Sequence, residues 1–366
     1  VSALLYEIAA MIAEGGPISF ELYMKLALTH PVHGYYRGKM PIGAKGDFIT
    51  APEIHQMFGE LIGLWAAEVW HLMGGPQHLL LVELGPGRGT LMTDALRAAR
   101  IVPAFFKALD VHLVDMSEPL TALQRQALSG CGAPVSWHAQ WDTIPNGPAI
   151  VIANEFFDAL PVRHYVYGER GWCERLAGLN PEGKLAFGLA AEPTDEIKLK
   201  AEPGTLLELG LAAQEMMAKI AARLSVEPGA LLAIDYGAST FRFGETLQAV
   251  RHHCFTDPLE APGEADLTAH VDFAGLAQAA QKAGAAIHGP ITQGLFLKRL
   301  GIFERAAQLG VKADAVQKEA IEQALDRLAR PGPQTGPRAS MAELFKVLAV
   351  TSPGLSVPPG FEASAA

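Results

Sequence analysis

Three cysteines in 366 residues, at positions 131, 173 and 254, are too few and too scattered for a disulfide framework or a C-x-x-C metal site. They fit a reducing compartment. Positive charge is also scarce: 29 Lys plus Arg against 39 Asp plus Glu leaves a net charge of −10 and no general electrostatic basis for binding nucleic acid or an anionic membrane. No apolar run reaches the 18 residues of a membrane span. Residues 4–12 are apolar around Glu7 but lack the basic leader and cleavage site of a secretory peptide. H-E-x-x-H, Gly-x-Ser-x-Gly and Gly-Lys-Ser/Thr are missing too, so zinc hydrolysis, serine hydrolysis and Walker-type nucleotide binding find no residues, and no metal is expected.

What is present is a large apolar fraction, 49%, enough for a sizeable core, and one concentrated motif. In LLLVELGPGRGTL, residues 79–91, an apolar strand ends in Glu83 and runs into Gly85, Gly87 and Gly89, with a helix expected over 90–99. Glycines there permit a tight turn and close backbone approach to a ligand at the helix start. A second acidic strand end follows in LDVHLVDMSEP: Asp115 can accept bonds from a ribose diol, and Ser117 with Glu118 opens the next helix. The interval from the glycines to Asp115 and the missing third position of G-x-G-x-x-G disfavour a dinucleotide and favour another adenosine cofactor. In WHAQW, Gln140 suits an adenine edge and Trp141 an apolar cofactor surface, although Trp137 and Trp141 also suit packing beside the sheet.

Strands expected near 79–84, 109–115, 134–138, 149–153 and 229–235 alternate with helices near 90–101, 118–128 and 206–225, which predicts an α/β fold with an open, mostly parallel sheet covered by helices. Two helices over 4–14 and 19–29, the second capped by Ser19, form an N-terminal helical extension. A capping box at Thr50 and Glu53 opens a helix reaching residue 73. The expected organisation is an extension and substrate loop over 1–75, a core over 76–355 with insertions near 162–204, 236–270 and 290–340, and a tail over 356–366. A short strand is expected at 285–288, a helical insertion over 295–329, and a final edge strand at 345–351.

NEFFDALPV follows the apolar AIVIA and places Asn154, Glu155 and Asp158 at the carboxyl rim of a strand, where open sheets assemble chemistry. Two acids facing one pocket can hold a guanidinium, with Asn154 orienting a ligand and Phe156 and Phe157 shaping an apolar wall. A capped helix with solvated acids is the plain alternative. Asp47 in GDFIT is a candidate for closing a substrate loop. In TAHVDF, His270 is a candidate for catalytic support, and Asp272 reads equally as a helix cap.

GDFITAPEIHQMFGE (46–60), VELGPGRGTLM (82–92), VDMSEPL (114–120), NEFFDALPV (154–162) and DLTAHVDF (266–273) together resemble the MidA-like family of class I S-adenosylmethionine-dependent protein-arginine methyltransferases, over most of residues 15–355. That resemblance implies a Rossmann-like methyltransferase sheet with inserted substrate-face elements and S-adenosyl-L-methionine as cofactor. The donor would sit at Glu83, Gly85, Gly87, Gly89, Asp115, Ser117, Gln140 and Trp141; Asp115 stands where related sequences often carry Glu. It further implies a protein substrate, a respiratory complex I subunit, with symmetric dimethylation of arginine. Catalytic roles would fall to Asn154, Glu155, Asp158, Asp47 and His270. A noncatalytic assembly protein and a dinucleotide-dependent oxidoreductase stay open as alternatives. The expected location is cytoplasmic, or the mitochondrial matrix for a eukaryotic source; the oligomeric state stays open.

Overall fold

The computed structural model describes residues 2–38, 50–251, 254–333 and 340–362. Its centre is a sheet of seven main strands: β1 (Leu79–Leu84), β2 (Leu109–Val114), β3 (Val135–His138), β4 (Ala149–Asn154), β5 (Gly229–Ala238), β6 (Ala286–Thr292) and β7 (Phe345–Thr351). Their spatial order is β3-β2-β1-β4-β5-β7-β6. β1 to β5 run parallel, and β7 lies antiparallel to both β5 and β6. β1 and β4 are buried at every position, as strands covered on both faces by helices must be. The winding reverses between β1 and β4, so the carboxyl ends of these two strands open the crevice where such sheets hold ligands.

One face of the sheet is covered by the helices Met57–Leu72 and Thr90–Ala99, with Ile62, Trp65, Leu96 and Phe105 in its core. A Cβ at Gly63 would lie 2.5 Å from the Ala95 carbonyl, so that glycine sets how closely the two helices approach. Leu211–Val226 and Phe273–Lys282 cover the other face through Met217, Ile220 and Leu276. Asp272 does cap its helix, accepting from Gly275 N–H at 3.0 Å.

The N-terminal helices Ala3–Gly15 and Phe20–Thr29 join a third apolar cluster with Val162, Ala177, Ala249, Leu259, Ala265, Leu267 and Ala269. Ser19 caps the second helix as expected, accepting from Leu22 N–H. Ile18–Ser19 adds a short strand to the inserted hairpin of Arg163–Gly168 and Gly171–Leu179. Leu4, Ile8, Phe20 and Met24 are each at most 1% exposed. At about 1.5–3 kcal/mol per buried side chain, these contacts fasten the helices firmly to the insertion.

Four expectations are corrected. Phe345–Thr351 is an interior strand, because Ala286–Thr292 pairs outside it and takes the edge. That edge strand runs four residues beyond 288, through a register shift around Gly289 and Pro290, and proline is tolerated there because an edge strand has a free N–H side. The helix expected over 206–225 begins with the strand Leu206–Leu209, which pairs with Arg163–Gly168. Thr50 makes no side-chain cap, and the helix is interrupted between Ile54 and Met57. Glu53 instead accepts from the Thr90 hydroxyl at the head of the glycine-loop helix. Among the described residues no helix is long and apolar enough to cross a membrane.

Candidate active site

Gly85, Gly87 and Gly89 follow β1 with φ of 61°, 53° and 83°, the left-handed region that side chains avoid. A Cβ on Gly85 would come within 3.1 Å of the Phe156 ring, so the loop closes against the turn after β4. Between them lies a cleft of about 360 Å³ lined by Glu83, Gly85, Gly87, Arg88, Asn154 and Glu155, with Thr50, Pro52 and Glu53 as its far wall. Arg88 lies 3.7 Å from the Glu53 carboxylate.

Glu83 is 3% exposed, and its Oε2 has no hydrogen-bond partner among the described residues. Burial, with a further push from the charge of Asp115, raises its carboxyl to about 8. Asp115 ends β2. Its Oδ1 accepts from Ser117 N–H at 2.8 Å and its Oδ2 from Gln124 Nε2 at 2.8 Å. Burial pushes this carboxyl up to about 6, against those two bonds and the nearby charge of Arg37. Gln124 is fully buried and also donates to the Gly87 carbonyl at 2.8 Å, so one amide ties Asp115 to the glycine loop.

The turn after β4 carries Glu155 at φ 50°, the one non-glycine residue with positive φ among those described. Such strain persists only where the surroundings enforce it, and here they do. Glu155 N–H donates to the Ile234 carbonyl at 2.8 Å. Asp235, at the same level of β5, accepts from the N–H groups of Phe156, Phe157 and Asp158 at 3.0–3.2 Å. Glu155 Oε1 accepts from Ala51 N–H at 3.0 Å and Asn154 Nδ2 at 3.2 Å, and burial lifts its carboxyl to about 7. Asn154 Oδ1 is buried without a partner among the described residues.

Asp158 is held by the Tyr236 hydroxyl, is lifted to about 6 by burial, and keeps a buried Oδ1 with no partner among the described residues. Tyr36 brings a further hydroxyl from the N-terminal segment, 3.0 Å from Asp266 Oδ1, and burial with the charges of Asp266 and Asp158 pushes it well above its ordinary range.

Not every candidate gathers here. Glu83, Gly85, Gly87, Asn154 and Glu155 line one cleft, with Gly89 turned toward Gln124, Asp115 and Ser117 reaching the cleft through Gln124, and Asp158 through the turn. His270 lines a second cavity of about 380 Å³ behind the turn, with Phe157, Leu160, Glu208 and Asp272, and its ring packs edge-on against Tyr236. Trp141 is built into the core beside Val114 and Ile144, with the Arg223 guanidinium 5.4 Å from its ring, and Gln140 is exposed next to it. Asp47 lies outside the described residues. Asp235, Gln124, Tyr36 and Arg37 were not singled out from sequence. An acid closing the apolar ALLAI run was the one local signal, for Asp235.

The chain matches the family model for S-adenosyl-L-methionine-dependent methyltransferases over residues 61–291, more than half its length. It is similar to the protein arginine methyltransferase NDUFAF7, mitochondrial, of Danio rerio, 37% identical over 355 residues that cover 90% of this chain and 84% of that protein. The Homo sapiens protein of the same name is 36% identical over 358 residues, covering 90% and 81%. A Burkholderia thailandensis crystal structure bound to S-adenosyl-homocysteine aligns with a TM-score of 0.86 at 30% identity, over 99% of this chain and 95% of that one. The mitochondrial names of the curated relatives overturn the expected cytoplasmic location; composition could not separate the two compartments, since both are reducing. The unpartnered Glu83 and Asn154 oxygens and the glycine cradle fit the donor these proteins share, and this chain belongs to the S-adenosyl-L-methionine-dependent methyltransferase family.

Proposed function

We propose that the chain methylates arginine in a protein, the expected substrate being a respiratory complex I subunit, with the turn after β4 holding the acceptor guanidinium. The carrying observation is Glu155, forced to φ 50° with a buried carboxyl at the cleft wall. The bound donor supplies an electrophilic methyl group. Asp115 would hold its sugar diol, the glycine loop would let the backbone approach it closely, and Glu83 Oε2 with Asn154 Oδ1, two acceptors without a partner among the described residues, would take its ammonium end. Glu155 and Asp158 pair with the guanidinium and fix the direction from which its nitrogen approaches. Their raised carboxyls ionise when that cation enters, because an opposite charge at contact favours the charged form. Once the nitrogen carries a methyl group it loses a proton, and Glu155 is the group placed to take it. Asp235 touches neither ligand; by gathering three backbone N–H groups it keeps the turn in place.

The test is transfer of labelled methyl from S-adenosylmethionine to intact respiratory complex I and to arginine-containing peptides, followed by hydrolysis and identification of the labelled amino acid. Labelled methylarginine is expected. Glu155→Gln is expected to cut the transfer rate on the order of 10²- to 10³-fold while donor affinity stays within about 3-fold. Label on another residue type, or an unaffected Glu155→Gln, would overturn the reading. Donor binding with no transfer to any acceptor would favour the noncatalytic assembly protein.

A further inference from the structure

We propose that Arg37, from the N-terminal segment, is a donor-binding residue whose guanidinium closes over the sugar from the side opposite Asp115. The short helix Tyr35–Gly38 is pinned beside the end of β2 by two links. The Ser117 hydroxyl donates to the Tyr36 carbonyl at 2.6 Å, and the Ser117 N–H donates to Asp115 Oδ1 at 2.8 Å. A single residue, 1% exposed, therefore fixes both the acid and the turn that carries Arg37. Tyr36 anchors the other side of that turn through its hydroxyl on Asp266.

Arg37 Nε is buried and has no hydrogen-bond partner among the described residues. Its charge nevertheless reaches Asp115, holding that carboxyl lower than burial alone would place it. A guanidinium offers only donors and a carboxylate only acceptors. A group lying between them satisfies both only if it can accept from one and donate to the other, which a sugar hydroxyl does: its hydrogen goes to Asp115 and its oxygen accepts from Arg37. The charged groups facing Asp115 are this arginine and Glu83 on β1. The inference concerns the donor alone and holds whatever the acceptor proves to be.

The test is calorimetric titration of the full chain with S-adenosylhomocysteine and with its 2′-deoxy analogue between pH 5.5 and 8.5, for wild type, Arg37→Gln and Arg37→Lys. Arg37→Gln is expected to weaken S-adenosylhomocysteine binding about 10-fold at pH 7, the size of one lost charge-assisted hydrogen bond. The penalty for removing the sugar hydroxyl should shrink in that variant, since part of what the hydroxyl contacts is already gone. Affinity should fall with acid as Asp115 protonates, and in Arg37→Gln that fall should begin at a higher pH because the cation holding the carboxyl down is absent. Arg37→Lys keeps the charge, so its pH profile should match wild type even where its affinity does not. Equal hydroxyl penalties and equal pH profiles in wild type and Arg37→Gln would overturn the assignment, whatever the change in overall affinity.

Discussion

The two cavities that flank the turn after β4 are nearly equal in size, about 360 and 380 Å³, yet they differ in how their polar groups are satisfied. Behind the turn, Glu208 accepts from His164 at 2.9 Å and from the Thr246 hydroxyl, Asp272 caps its own helix, and His270 N–H donates to Thr246 Oγ1 at 2.7 Å. In front of it, Glu83 Oε2 and Asn154 Oδ1 have no partner among the described residues, and Glu155 sits in a backbone conformation it would not choose alone. A buried polar atom without a partner costs about 1–3 kcal/mol, so the front cleft carries a demand that a ligand can relieve. Volume does not separate the two; unmet hydrogen bonding and strain do.

The largest effect on that contrast should come from the glycine loop. Gly85→Ala puts a Cβ at positive φ and 3.1 Å from Phe156, combining about 1–2 kcal/mol of left-handed strain with displacement of the turn after β4. Donor affinity measured by calorimetry should drop on the order of 10- to 100-fold. An alanine variant that binds the donor normally would show that the loop does not press against the turn.

A second effect, intermediate in size, follows from the acids. Glu83 and Glu155 are lifted to about 8 and about 7 in the fold, from an ordinary value near 4.5. Between these limits the folded chain binds more protons than the unfolded one, so stability is greatest below about pH 4.5 on this account and falls as pH rises toward 8, by roughly 1 kcal/mol per pH unit for each group at most. Thermal unfolding of the ligand-free chain should show a Tm declining from pH 5 to pH 8, with S-adenosylmethionine restoring more of it at the upper end, where ionised acids meet its positive charge. A Tm that does not change across this range would mean that the cleft acids are already ionised.

The smallest effect belongs to the cavity behind the turn. Glu208→Gln should cost about 1 kcal/mol of stability through its bonds to His164 and Thr246 and leave donor affinity within about 2-fold. Donor binding that weakened substantially in this variant would erase the distinction between the two cavities.

The candidates for the donor side were read from local signals: Gly85, Gly87, Gly89, Asp115 and Ser117 lie in one stretch of sequence, and the structure has the positive φ that the glycines permit and the Ser117 cap that opens the next helix. The turn after β4 was legible as a place but not as a mechanism. Its positive φ depends on Asp235, some 80 residues later, collecting three amides, and no spacing within NEFFDALPV announces that. Tyr36 was hidden for the same reason, since its partners Ser117 and Asp266 are brought to it only by the tertiary fold, and Arg37 is carried in beside it. The capping box at Thr50 and Glu53 misled because its acid is taken by Thr90 from another helix. Phe345–Thr351 looked terminal because it is last in sequence, whereas the proline in Ala286–Thr292 was the better sign of an edge.

The hydroxyl of Tyr36 and the carboxylate of Asp266 are 230 positions apart, and those of Ser2 and Tyr23 reach carbonyls 260 and 235 positions away. At a ribosomal pace of roughly 5–20 residues per second, the first helices leave the tunnel some 10–50 s before the residues that anchor them exist. During that interval the turn Tyr35–Gly38 can be held by Ser117 but not yet by Asp266, while Phe20 already has His164 and Phe187 of the insertion to rest on, so the N-terminal helices are fastened in two stages, first to the hairpin and then to Pro258, Pro262 and Asp266.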